Sequence, residues 1–393
     1  MSRRRWIDLG KYLLAVVLLG WVVQANWAPK PTRAIATLAV STLGLVQGPA
    51  GPLLAASSMV PGQIEPRGLG YVWNRHVLQQ EPIHLGFLLL GFVGFSMAVM
   101  LTFFRWYVLV RALDLELKLQ DAIRFGFIGV FFNTFLPGAI GGDIIKAAAL
   151  ARTQSRRTAA VATVIMDRLL ALWALVWFVA ILGSVFWALG WLTGPAGPTA
   201  VAIVRTALSV VAISALVWVV VGFLPDEWSA RFSAYLERIP GVGPSLGEMW
   251  SSVWMYRRRQ GSVALVLILT WIGQVGFVFA FWCAAQVLWS PELGPVPSLL
   301  EHFLLVPIGV VMQALVPTPG GAGGGEWGFA ALYLLFRAAE ANGVMASLVQ
   351  RMYSWVLGLV GYTIYLYLKP GSVQSEKPNP VRKDDSLPDR SVV

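Results

Sequence analysis

Asn133-Thr134-Phe135-Leu136-Pro137-Gly138-Ala139-Ile140-Gly141-Gly142-Asp143 ends one apolar stretch and opens another. Pro317-Thr318-Pro319-Gly320-Gly321-Ala322-Gly323-Gly324-Gly325-Glu326 does the same further along the chain. The ten residues ending at the first proline of each, 128–137 and 308–317, align without a gap. Four are identical, and Asn133 aligns with Gln313, amide with amide. The shared order is apolar helix, amide, proline, glycines, acid, apolar helix. Pro137 and Pro317 lack an N–H and break the helices before them. The glycines let the chain reverse tightly and bare its amides. The helices opening at Asp143 and Glu326 present the positive ends of their dipoles to whatever lies in front of them.

The surroundings of these two segments decide the fold class. Of 393 residues, 57% are hydrophobic and 13% charged, where a soluble domain carries about 25% charged residues. Several runs exceed the ~18 apolar residues that cross a bilayer. Irregular backbone survives at membrane depth only where protein or a water-filled cavity covers it. The expected fold is therefore all-α: a polytopic membrane helical bundle of about six full spans, near 9–27, 84–109, 159–190, 200–224, 262–289 and 344–368. Two re-entrant hairpins broken by Gly and Pro, with cores at 120–152 and 299–341, complete it. Three spans separate the hairpins, so one enters from each side, giving an inverted repeat. Paired broken segments in inverted halves point to a midplane transport site.

Charge bias sets the orientation. With the Arg3-Arg4-Arg5 cluster inside, Arg105, Arg111, Lys118, Lys146, Arg152, Arg156, Arg157, the 225–261 loop and the tail from Lys369 all fall inside. The outside connections Gly190–Pro198 and Ser290–Pro297 hold no Lys or Arg. Counting 34–60 as another span would invert this pattern. The organisation expected is thus a cytoplasmic Arg cluster and retained first span at 1–27, an extracytoplasmic segment at 28–83, a transmembrane domain at 84–370 and a disordered cytoplasmic tail at 371–393, whose composition buries too little apolar surface to order. Both termini lie in the cytoplasm of a cell whose inner membrane holds the protein. Trp27, Trp106, Trp191, Trp228, Trp289 and Tyr367, near span ends, read as interfacial anchors. The net charge of +10 faces anionic lipid, and no nucleic acid is expected.

Ionisable residues inside apolar spans carry the functional hypothesis, since they usually face a cavity or a partner. Asp143 and Glu326 read as first-turn acids that neutralise a helix dipole, and also as coupling or headgroup contacts. Asp167 and Arg168 lie deep in their span. Arg168 offers a planar fork suited to phosphate, or forms an ion pair with Asp143 or Glu326; Arg351 has the same two readings. Lys146, three residues after Asp143, can pair with it on one helix face. Arg105, at a span end, is expected to snorkel to the interface. The candidate substrate-binding or coupling set is Asn133, Pro137, Gly138, Gly141, Gly142, Asp143, Lys146, Asp167, Arg168, Pro317, Pro319, Gly320, Gly321, Glu326 and Arg351. The three histidines show no metal spacing. The single Cys283 excludes an internal disulfide, and no Walker, zincin or Gly-x-Ser-x-Gly motif occurs. No catalytic residue, metal or cofactor is expected.

The block from Asn133 to Asp143 with Lys146 and Leu150, the Met166-Asp167-Arg168-Leu169 run, the Pro317…Glu326 turn and the Arg105-Trp106 pair together resemble the lysylphosphatidylglycerol synthase transmembrane, or flippase-like, family over roughly 84–368. The resemblance implies an integral domain that moves a lipid between leaflets. The best-known members add a cytosolic synthase domain, for which the tail here is too short. The function expected is a lipid translocase, not ATP-driven and not an enzyme. Its partners would be anionic or aminoacylated phospholipid or a polyprenyl-phosphate lipid, and an oligomer is open. The alternatives are a membrane enzyme or subunit transferring glycosyl or aminoacyl groups to a lipid carrier, or a regulatory membrane protein.

Overall fold

Backbone amides in hydrocarbon must be satisfied within their own segment, and a chain this apolar answers with helices. The computed structural model describes residues 3–27, 68–136, 141–192, 197–240, 243–336 and 338–367, and among them there is no strand. The helices are α1 (Arg3–Ala25), α2 (Leu69–Trp73, running into a π-helical turn), α3 (Leu85–Ala112), α4 (Leu119–Phe135), α5 (Gly141–Thr153), α6 (Arg157–Ala188), α7 (Gly197–Phe223), α8 (Asp226–Glu237), α9 (Gly243–Arg258), α10 (Gln260–Val287), α11 (Leu299–Leu315), α12 (Gly324–Leu335) and α13 (Glu340–Tyr367). Most of the 28–83 segment, the tail, and Pro137 and Gly138 lie outside the described residues.

Among the described residues four helices, Leu85–Ala112, Arg157–Ala188, Ala200–Val220 and Gln260–Val287, are long and apolar enough to cross a membrane. Tyr12–Ala25 and Leu299–Leu315 are shorter apolar helices. What α3 shows to the outside separates a membrane bundle from a soluble one. Leu85, Leu89, Val93 and Met97 recur every fourth residue and are all exposed, while Phe95, Val99, Phe103 and Trp106 are buried. On α7, Ile213, Leu216, Val217, Val219 and Val220 are likewise exposed. In water such contiguous apolar stripes would be an aggregation hazard; against lipid they are the natural outer face.

The helix order comes in two matching runs. The first is α3 to α6, with 28, 17, 13 and 32 residues. The second is α10 to α13, with 28, 17, 12 and 28 residues. The runs pack on each other reciprocally: α3 lies along α10, α4 along α13, and α11 along α6. Helices α7, α8 and α9 sit between them in the chain. The α4–α5 crossing is close because both partners are glycines. A Cβ on Gly142 would overlap the Gly129 carbonyl oxygen, so the backbones touch as small residues permit in membrane helices.

Candidate functional site

The first break is organised by Asn133, whose Oδ1 accepts a 2.8 Å hydrogen bond from the Gly142 N–H. That bond satisfies one of the free donors at the start of α5. Asp143 is the third residue of α5, and its buried carboxylate takes the Arg168 guanidinium, the twelfth residue of α6.

The second break repeats the plan. Pro319 opens a short 3₁₀ turn to Gly321, and Gly320, Gly321 and Gly323 have φ of 56°, 68° and 84°, a region that side chains resist. The Gln313 amide donates to the Gly320 carbonyl at 2.8 Å. Glu326, the third residue of α12, accepts from the Gly323 N–H at 2.7 Å. It pairs with Arg351, the twelfth residue of α13, at 2.7 Å from Nε, and Arg351 Nη1 donates to the Gly320 carbonyl at 3.1 Å. Acid and arginine stand 25 positions apart in both cases. At ~1.5 Å per residue each arginine lies about 16 Å along its helix.

The two pairs differ in enclosure. Glu326 and Arg351 have side-chain exposures of 0% and 7%, whereas Asp143 is at 8% and Arg168 at 51%. The second turn is covered on two sides. A Cβ on Gly320 would stand 3.4 Å from the Thr134 carbonyl of α4, so the second turn meets the end of the first broken helix. A Cβ on Gly323 would overlap Leu18 of α1, and the Tyr12 hydroxyl of α1 donates to the Phe135 carbonyl at 2.7 Å.

Three expectations need correction. Arg105 does not snorkel. It is buried, its Nε donates to Asp167 at 2.8 Å, and its Nη1 reaches the Thr270 hydroxyl at 3.3 Å. The reason is that α3 continues to Ala112, which sets Arg105 two turns inside the helix end. Trp106 is not an interfacial anchor. It is fully buried, with its Nε1 donating to the Thr163 hydroxyl at 3.3 Å. Lys146 closes no ion pair with Asp143; its Nζ lies 4.7 Å from the centre of the Trp106 ring. Sequence reasoning thus missed Arg105 and Trp106 as interior residues, although the apolar run continuing past Arg105 through Val110 was the available signal. It also left open whom Asp167 and Arg168 face, and the structure sends these neighbours to different partners. His302 is a satisfied core histidine between Ser298 and Tyr333, and no metal-binding group of His, Cys, Asp and Glu occurs among the described residues.

A model of the lysylphosphatidylglycerol synthase TM region matches residues 74–361. The chain belongs to that family. Both breaks, both acid–arginine pairs and the Arg105–Asp167 pair lie within the family region, while α1, which covers the second turn, lies before it. A curated relative, the UPF0104 membrane protein PH1989 of Pyrococcus horikoshii, is 25% identical over 300 residues, covering 71% of this chain and 86% of its own length. No solved structure matches. The chain is a membrane protein, as the family match and the four long apolar helices among the described residues agree.

Proposed function

We propose that the protein is a lipid translocase that moves a phosphate-bearing lipid between leaflets without ATP. The observation that carries the reading is the duplicated acid–arginine pair, each beside a glycine-rich break in an otherwise apolar bundle. Charges in hydrocarbon are retained where they handle polar cargo, and broken helices in repeated halves are where membrane transporters place it. Under this reading α4–α5 and α11–α12 are re-entrant hairpins of an inverted repeat, about six helices cross the inner membrane, and both termini are cytoplasmic. The headgroup passes by the two breaks. Asn133, Gly141, Gly142, Asp143, Lys146, Asp167 and Arg168 form one half of its path, and Pro317, Pro319, Gly320, Gly321, Glu326 and Arg351 form the other.

Leaflet exchange of headgroup-labelled anionic, aminoacylated and polyprenyl-phosphate lipids in proteoliposomes tests the function. Wild type accelerates exchange of one class, and Asp143→Asn, Arg168→Gln and Glu326→Gln slow it. No exchange of any class refutes the translocase. Exchange untouched by all three substitutions refutes the site. A cysteine at Trp191 should label from outside whole cells; labelling from the inside alone refutes the inverted geometry.

A further inference from the structure

Five ionisable side chains meet in the first run of helices: Arg105 on α3, Asp143 and Lys146 on α5, and Asp167 and Arg168 on α6. Two pairings use up both carboxylates, Asp167 with Arg105 and Asp143 with Arg168. Lys146 remains. It is 8% exposed, and a Cβ on Gly129 would come within 2.8 Å of its Cδ, so its stem is wedged against α4. Its Nζ rests on the Trp106 ring, and among the described residues it has neither an ion pair nor a hydrogen bond. Three cations therefore face two acids. In the second run the corresponding charges among the described residues are Glu326 and Arg351, one of each sign and both enclosed.

A ring face is a weak substitute for water or a carboxylate around an ammonium, and an uncompensated buried charge is costly. A single entering negative charge removes that imbalance, and more than one reverses it. Arg168 pairs with Asp143, and Lys146 follows Asp143 by three residues on α5, so both cations stand beside the same carboxylate. Arg168, half exposed, is the member of the cluster reachable from outside the bundle.

We propose that the first cluster is a site for one singly charged phosphodiester, gripped by Arg168 and Lys146, and that the enclosed second pair, whose two charges cancel, adds no net charge to that grip. The proposal rests on the translocase reading for its source of phosphodiester, an anionic phospholipid. The Arg168 fork accepts two phosphate oxygens, and Lys146 leaves the Trp106 face for a third. A zwitterionic headgroup brings its own cation and restores the imbalance, so the site discriminates by net charge. Free phosphate has the same oxygens without acyl chains.

Calorimetric titration of the full chain in detergent with dioctanoyl phosphatidylglycerol, dioctanoyl phosphatidylcholine and inorganic phosphate, at matched ionic strength, tests this. Phosphatidylglycerol should bind about tenfold or more tighter than either of the others. Lys146→Met should lose about tenfold or more of that affinity, and Lys146→Arg should keep most of it. Without lipid, Lys146→Met should melt higher than wild type, since it removes an unpaired charge; a purely structural lysine would melt lower on removal. Arg168→Gln, at a half-exposed position, gives an independent reading and should also lose about tenfold. Equal binding of the two lipids, phosphate binding as tight as phosphatidylglycerol, or undiminished affinity in Lys146→Met or Arg168→Gln overturns the proposal. Leaflet exchange without charge selectivity in binding defeats this site and leaves the translocase; selective binding without exchange does the reverse.

Discussion

Substituting glutamine for Arg351 leaves the Glu326 carboxylate with 0% of its side chain exposed and its one remaining polar contact the Gly323 N–H. Breaking one side of a buried pair in this way costs about 3–5 kcal/mol, because the charge left behind has neither partner nor water. Arg168→Gln at the equivalent place is a different perturbation. Its side chain is 51% exposed, so this pair is not enclosed, and Lys146 stands three residues from the abandoned Asp143 to compensate it. At about 2 °C per kcal/mol for a chain of this size, Arg351→Gln should lower the apparent melting temperature by about 6–10 °C and Arg168→Gln by less than half as much. The assay is thermal unfolding of the purified variants in one detergent at one heating rate, so that an irreversible transition still ranks them. The double variant Glu326→Gln/Arg351→Gln should recover at least half of the loss, since no charge is then left unpaired and the glutamine oxygen still accepts from Gly323. Equal drops for the two arginine variants, or a double variant as unstable as Arg351→Gln, would refute the distinction between an open and a closed pair.

Gly142→Ala drives a methyl into the Gly129 carbonyl and should cost about 3 kcal/mol or more through overpacking, visible as poor recovery of folded protein. Gly20→Ala, with nothing within 4 Å of the new Cβ, should stabilise α1 by up to about 1 kcal/mol through helix propensity alone. Outside the spans, Asp226 at the start of α8 accepts from the Trp254 indole at 2.9 Å and pairs with Arg258 and Arg257 of α9. The Trp254 hydrogen bond first, then the Arg258 bond, hold its pKa below the ordinary 3.8. A depressed carboxyl contributes stability above its unfolded pKa and loses it as pH falls through the folded value. The protection of α8 amides, taken relative to the intrinsic exchange rate at each pH, should therefore be flat from neutral pH down to about 4 and fall below it, and Asp226→Asn should abolish that dependence.

How much of this was legible can be judged residue by residue. The two breaks, and the acids that start the helices after them, follow from proline, glycine and dipole chemistry acting locally, and Glu326 capping the Gly323 N–H is the local role expected of it. The amide equivalence of Asn133 and Gln313 was visible too, and both amides do brace their glycine turns, one by accepting and one by donating. The equal spacing of the acid–arginine pairs was hidden. Aligning from the prolines fails downstream, because the second turn is three residues longer than the first. Arg105 was misread because a helix end was placed three residues early, at 109 instead of Ala112, and a charge near an apparent end invites the snorkelling explanation. Its partner Asp167 is 62 residues away, and no periodicity reports on such a distance.

By itself the sequence determined the membrane class, the helical content, the positions of the two breaks and the candidate charges. Each depends on hydrophobicity or backbone chemistry within a few residues. Tertiary structure alone decided who pairs with whom, that the second turn abuts α4 and lies under α1, and that one arginine of two equivalent ones is enclosed while the other is open. The value of a charge in an apolar bundle depends on its burial and on the nearest opposite charge, and both are set by helices brought together from distant parts of the chain.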